Sequence, residues 1–334
     1  MNGLILAVAG VVSFVVAAVL GRWVIPWLAR LKFGQTIREE GPSWHEKKQG
    51  TPTMGGILFM AGFLVAALLC AWLIYFLKPA HMFMSAYEKV RYWGGIGLAF
   101  GCGVIGFADD FIKVVKKRNL GLTAIQKLIA QLVVATGYAV LMYCYRGGVF
   151  SIPFIGLVDW GFWYIPFTVF VIVAMTNATN LTDGVDGLCG LTGFVASLAL
   201  MLLGGLTGQL TQSVLAAALA GALSGFLLWN FHPAQVFMGD TGSLFIGGAL
   251  TALAFGIEQP FLLVPIGILY IAENLSVILQ VTYFKLTHGK RLFKMSPLHH
   301  HFEMCGWSEN KIVLVFSAVT LVGGIGAILL QYFG

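Results

Sequence analysis

Charge is scarce in this chain. Asp, Glu, Lys and Arg make up 10% of its 334 residues, against 58% hydrophobic ones, whereas an average soluble domain carries about 25% charged residues. That scarcity excludes an ordinary soluble domain. Cysteine is sparse too. Cys70, Cys102, Cys144, Cys189 and Cys305 show no CxxC pairing, so no disulfide framework is implied and buried structural thiols are expected. No polar linker or low-complexity block interrupts the sequence. Neither a solenoid-period repeat nor an inverted repeat of the transporter kind is visible. Residues 1–334 therefore read as a single membrane domain. The first apolar run, Gly3 to Leu28, lacks a basic leader and is too long for a signal-peptide core, so it is expected to remain as a span.

What the chain has in abundance is apolar length. Runs fall at about 3–29, 54–77, 93–111, 122–144, 162–179, 188–205, 213–229, 241–257, 261–286 and 311–333, enough for about ten helices across a hydrocarbon core of about 30 Å. The fold class expected is all-α, a polytopic integral membrane protein. Fifteen of the 20 basic residues lie on odd-numbered connections, in the 30–53 loop, the segment after the third run and the last long loop. Basic loops stay in the cytoplasm, so both termini are expected to be extracytoplasmic. The net charge of +6 does not call for nucleic acid, because these residues sit at membrane exits where anionic lipid head groups account for them.

Acidic residues follow the same asymmetry. Of six aspartates, Asp109, Asp110, Asp183, Asp186 and Asp240 lie in or beside odd-numbered connections. Two of those connections, 178–188 and 230–241, hold almost no basic residues, so the carboxylates and the lysines point to one face independently. Carboxylates gathered at one membrane face suit a divalent cation held against phosphates.

Asp109 and Asp110 close the third run, just before Lys113. Adjacent helical residues diverge by about 100°, so the pair is expected not to meet at one atom. One is free to face a metal or a phosphate while the other orients a neighbour or takes a proton. The plain alternative is two solvated charges at a helix end. Asn180-Leu-Thr-Asp-Gly-Val-Asp-Gly187 is the densest polar stretch between spans. Asp183 and Asp186 would share one face if helical. Such a loop can hydrogen-bond a ribose or a uracil edge, or help to hold a metal. It lacks the start and the distant glutamate of an EF-hand.

Trp229-Asn-Phe-His-Pro233 leads into Phe237-Met-Gly-Asp-Thr-Gly242. There Phe237 can stack on a base, or simply anchor a helix end at the interface, and the glycines let a phosphate approach Asp240. Ser296-Pro-Leu-His-His-His-Phe-Glu303 carries three consecutive histidines that point apart and so rarely ligate one ion together. Phosphate contact or proton transfer suits them better. Glu273 lies inside the ninth run, where a carboxylate is functional by default or pairs with another helix. Gly101-Cys-Gly-Val-Ile-Gly106 matches GxGxxG without a βαβ context, so helix packing explains it. In the 30–53 loop, His45-Glu-Lys-Lys-Gln-Gly-Thr-Pro-Thr-Met-Gly-Gly56 offers lysines to screen phosphates, or only a juxtamembrane basic cluster.

Taken together, Lys47-Lys48…Thr51-Pro-Thr-Met-Gly-Gly56, Ala108-Asp-Asp110, Asn180 to Asp186, Phe237 to Asp240 and Pro297-Leu-His-His-His-Phe-Glu303 resemble the polyprenyl-phosphate sugar-1-phosphate transferases. The first and last of these stretches favour the phospho-N-acetylmuramoyl-pentapeptide transferase branch. The resemblance covers nearly the whole chain. It implies a bacterial inner (cytoplasmic) membrane enzyme, homodimeric, with its active site facing the cytoplasm. The reaction implied moves phospho-MurNAc-pentapeptide from its UDP carrier to undecaprenyl phosphate, with Mg²⁺ required and UMP released. It also implies Asp240 as metal ligand, Asp109 engaging the lipid phosphate, and Asp110 and His299 essential nearby. Lys48, Thr53, Asn180, Asp183, Asp186, Asn230, Phe237, Gln280, His300 and His301 are the expected substrate contacts. A sister transferase using another UDP-sugar is the near alternative. A transporter is the distant one, because its polar groups would lie at the bilayer midplane.

Overall fold

A computed structural model describes residues 2–31, 50–77, 85–115 and 121–334. The described residues are mostly helical, as backbone groups in hydrocarbon require. The chain runs α1 (Asn2–Arg30), α2 (Gly56–Leu77), α3 (Ala86–Val115), α4 (Ala124–Arg146), α5 (Tyr164–Thr182), α6 (Leu188–Leu206) and α7 (Leu210–Asn230). After these come α8 (Gly239–Gly256), α9 (Leu263–Ile266), α10 (Ile268–Leu286), α11 (Leu298–Glu303) and α12 (Glu309–Phe333). Seven of these helices are long and apolar enough to cross a membrane, and the bent pair α9–α10 makes up to an eighth.

The apolar runs map onto these helices with two instructive departures. The third run extends back to Ala86, because Arg91 is buried and donates to the Gly256 carbonyl at 2.9 Å while lying over the Tyr87 ring. Charged residues there look like a connection but serve as a tether. The ninth run, expected as one span, is broken at Gly267, and its two parts meet at 76°. Pro265 has no N–H to continue a ladder, and Gly323 of α12 lies so close to the Pro265 carbonyl that any Cβ would collide with it. One feature departs from all-α: a short antiparallel hairpin, β1 (Val149–Ile152) and β2 (Gly156–Asp159).

α8 is the axis of the bundle. From Thr241 to Gly256 every residue is buried, packed by α2, α3, α5, α6 and α7. Small residues permit this closeness, as between membrane helices generally. Gly106 of α3 lies against the Asp240 backbone, where a Cβ would overlap the carbonyl. That contact brings the end of α3 to the start of α8. The hairpin lies at the other end, where Ser151 donates to the Glu258 carbonyl (2.9 Å) and Phe154 to that of Gly334 (3.2 Å).

Candidate functional site

The site is built at the junction of α3, α4, α5 and α8. Asp110, 3% exposed, reaches across to the N-terminus of α8. Its carboxylate accepts from the Asp240 N–H (3.2 Å), the Thr241 N–H (2.9 Å) and the Thr241 hydroxyl (2.7 Å). These are orphan donors of a helix start, and a carboxylate satisfies them while complementing the helix dipole. Asp240, in the first turn of α8, is thereby held with its side chain toward α4 and α5. One oxygen accepts from Asn180 Nδ2 at 2.8 Å. The other accepts from Lys127 Nζ at 2.9 Å and Lys113 Nζ at 3.1 Å.

Asp109 faces the same ammonium. Its Oδ2 lies 2.5 Å from Lys113 Nζ, and its Oδ1 accepts from the Leu122 N–H at 2.8 Å. Lys113 Nζ is also 3.8 Å from Asp110 Oδ1. The expectation that Asp109 and Asp110 cannot meet at one atom is therefore corrected. Lys113 follows them by four and three residues, the spacings at which helical side chains become neighbours, and its long stem carries one charge between both carboxylates. Oxygens of Asp109, Asp110 and Asp240 all lie within 4.8 Å of one another. A cluster of hard carboxylate oxygens already gathered around a positive charge suits a divalent cation.

Asn180 joins this cluster through Asp240 and through Ser243 (2.9 Å), and Lys127 also touches its amide oxygen (3.3 Å). Thr53 is beside it. Any Cβ at Gly239 would meet both the Thr53 hydroxyl and the Asp110 carboxylate, and φ there is +69°. Phe237 is tied to the same strap, donating from its N–H to Pro52 O at 2.9 Å and accepting from the Gly55 N–H at 2.8 Å. Lys48, expected to contact substrate, lies outside the described residues.

The 183–187 loop is a turn, not a helix, so Asp183 and Asp186 do not share a helical face. Asp183 ends α5 beside the cluster. Burial, followed by the charges on Asp240, Asp110 and Asp186, holds its carboxyl well above the usual carboxylate range. Asp186 turns away to the Ala234 N–H (3.0 Å) and His232 Nδ1 (3.1 Å), with Glu309 of α12 alongside. Asn230 is buried, and both ends of its amide serve the backbone, accepting from Gly187 N–H at 3.1 Å and donating to Val236 O at 2.9 Å. Gln280 likewise clamps Leu292 and Phe293 through their backbones. The amides of both residues brace loops around the site.

The three histidines separate. His299 Nδ1 meets Glu273 Oε1 at 3.2 Å, His300 Nδ1 meets Glu303 at 2.6 Å, and His301 Nδ1 accepts from Lys294 N–H at 3.2 Å. Among the described residues none of them joins a metal-capable group.

Sequence reasoning did not single out Lys127, which it counted only as part of a basic segment. A signal was present. Thr123 and Gln126 form a capping box that opens α4, and a lysine in the next position opposes the positive end of the helix dipole unless a carboxylate faces it. The partners of Asp186, His232 and Glu309, are far apart in sequence, and no spacing announces them.

A bundle of long apolar helices with buried carboxylates and part-buried lysines gathered at one end defines a multi-pass membrane protein with an acidic cluster that could hold a metal ion. Residues 92–257 match the model of glycosyl transferase family 4, and residues 48–60 match signature 1 of phospho-N-acetylmuramoyl-pentapeptide-transferase. Proteins of that name are similar along nearly the whole chain. The one from Clostridium perfringens (strain 13 / Type A) is 46% identical over 318 residues, covering 95% of this chain and 96% of the relative. That of Halalkalibacterium halodurans is 46% identical over 323 residues, 96% of each. That of Listeria monocytogenes is 41% identical over 317 residues, 94% of each. The chain belongs to the phospho-N-acetylmuramoyl-pentapeptide-transferase family.

Proposed function

We propose that this chain transfers phospho-MurNAc-pentapeptide from UDP-MurNAc-pentapeptide to undecaprenyl phosphate, giving lipid I and UMP for peptidoglycan synthesis. The single observation that carries this reading is the Lys113 ammonium standing among Asp109, Asp110 and Asp240, and family membership supports it. In the transfer, the bond between the sugar-linked phosphorus and the oxygen of UMP breaks, and a bond from that phosphorus to an oxygen of the lipid phosphate forms. Both reactants are anionic, so the chain must neutralise charge before they can meet.

Mg²⁺ fits the donor set and would be held by Asp240, with Asp109 beside it, supplying charge neutralisation to the diphosphate. Lys113 and Lys127 neutralise phosphate oxygens. Asp109 engages the lipid phosphate, and Asp110 keeps the first turn of α8 in place. Phe237 stacks on uracil, while Thr53, Asn180, Asp183, Asp186 and Lys48 line the rest of the nucleotide pocket. Asn230 and Gln280 hold its walls, His300 and His301 contact substrate, and His299 acts nearby.

The topology proposed is ten spans with both termini extracytoplasmic and the site facing the cytoplasm, in the bacterial inner membrane, as a homodimer. The fifteen of 20 basic residues that fall on odd-numbered connections of the sequence support that orientation. So do α3 and α8, which are long enough to span although they carry the acidic residues. Release of UMP from a panel of UDP-sugars with undecaprenyl phosphate tests the substrate. Preference for UDP-MurNAc-pentapeptide is expected, and equal or better turnover of another UDP-N-acetylhexosamine would assign the chain to a sister activity.

A further inference from the structure

We infer that Glu273 is a positioning residue for nucleotide binding, because it locks His299 as the seat on which the Asp183–Gly187 loop rests. This rests on the reading of that loop as part of the nucleotide pocket. Glu273 lies in α10 and is 0% exposed, and His299, on the short α11, is 1% exposed. One oxygen of Glu273 receives both the backbone N–H and the ring Nδ1 of His299, each at 3.2 Å. Nδ1 thus faces Glu273, and Nε2 is turned toward the loop. The ring is thereby oriented: two nitrogens of one residue converge on one oxygen.

Nε2 has no hydrogen-bond partner and abuts Gly184. Any Cβ at position 184 would overlap the imidazole. The ring therefore fills the space a side chain would need, and the loop can come down onto it only with glycine there. On either side of this contact the loop is apolar and buried. Val185 and Leu188 pack with Leu269, Ile312, Val313 and Phe316 of α10 and α12. The loop is thus clamped between an apolar cluster and the edge of one imidazole, with Asp183 and Asp186 projecting from it.

Among the described residues, His299 makes no hydrogen bond to Asp109, Asp110 or Asp240, so its route to the reaction runs through the loop. Leaving a buried nitrogen without a partner is unfavourable, and so is an intramembrane carboxylate. The pair exchanges these penalties for a fixed ring orientation.

The test uses the full chain in lipid nanodiscs, with KM measured separately for UDP-MurNAc-pentapeptide and undecaprenyl phosphate, and with thermal unfolding as a folding check. Glu273→Ala is expected to raise the nucleotide KM about 10- to 100-fold, the scale of losing hydrogen bonds to a charged group, and to leave the lipid KM nearly unchanged. Glu273→Gln keeps an accepting oxygen and is expected to restore most of the affinity. Gly184→Ala is expected to reproduce the Glu273→Ala defect. A fall in kcat with both KM values unchanged overturns the inference and moves the pair to the chemical step, as does Gln being as damaging as Ala. Should Glu273→Ala fail to fold, Glu273→Gln and Gly184→Ala carry the same contrast. Affinity for UDP alone, measured on the same variants, tests the seat separately from turnover. If the wild-type chain binds UDP without turning over, the transfer reading fails while the seat is still judged by those affinities.

Discussion

Asp110 caps the helix whose first turn holds Asp240. Its carboxylate takes the backbone N–H of Asp240 at 3.2 Å and both donors of Thr241, so two acidic residues separated by 130 positions form one unit. The two adjacent aspartates of α3 thereby take different work: Asp109 faces the Lys113 ammonium and the Leu122 amide, and Asp110 holds a helix end.

This division makes a prediction about stability. Asp110→Ala strips the α8 start of its acceptor, and loss of a helix cap costs about 0.5–2 kcal/mol. Asp109→Ala removes contacts to Lys113 and Leu122 and its place beside Asp240, but leaves the α8 start capped. Thermal unfolding should therefore fall further for Asp110→Ala than for Asp109→Ala, although both lose turnover. The reverse order would make Asp110 a reacting group with no capping role.

Lys127 is expected to contribute to turnover beside the aspartates. It donates to Asp240 at 2.9 Å from a part-buried position, and hydrogen bonds to charged groups contribute about 1.5–3 kcal/mol. Lys127→Met should lower kcat/KM roughly 10- to 150-fold on that scale, with partial recovery in Lys127→Arg. Steady-state kinetics at saturating Mg²⁺ decide it, and a loss under threefold would remove Lys127 from the site.

Asp183 sets stability against activity. Its carboxyl is held above the usual carboxylate range by burial and by neighbouring carboxylates, so the fold favours the protonated form. Its contribution to stability is present at acidic pH, below the unfolded-state value of about 4, and is lost as pH rises through the raised value. Asp183→Asn should then raise the Tm of the metal-free protein at neutral pH, and have little effect near pH 4, while weakening nucleotide binding. A lower Tm at neutral pH would contradict this account of the loop.

Phe237 separates the two substrates. Stacking on an aromatic face contributes about 1–3 kcal/mol per base, so Phe237→Ala should weaken UDP-substrate binding by roughly 5- to 150-fold. Undecaprenyl phosphate offers no base, and its KM should hold. Equal changes in both would leave Phe237 as an interfacial anchor.

Much of this was legible before folding. Spans announce themselves because every hydrocarbon-facing position must be apolar, and the acidic rim stood out because carboxylates there are rare. The break at Gly267 was hidden because Pro265 and Gly267 sit inside an otherwise apolar run, and composition does not record direction. The early start of α3 was hidden because Arg91 reads as a loop residue until Gly256 is beside it. Lys113, Lys127 and Glu273 were visible as residues, but their partners lie on other helices, and pairing of that kind is tertiary. Asn230 and Gln280 were expected at the substrate. Their amides are consumed by backbone groups that only the folded loops bring within reach.

The most direct test is turnover of the purified chain in nanodiscs with UDP-MurNAc-pentapeptide and undecaprenyl phosphate, following UMP and lipid I together. The account predicts one lipid I per UMP, loss of both products on chelation, recovery with Mg²⁺, and no recovery at any Mg²⁺ concentration for Asp240→Asn. UMP release that persists under chelation, or near-normal turnover of Asp240→Asn at limiting Mg²⁺, would contradict it.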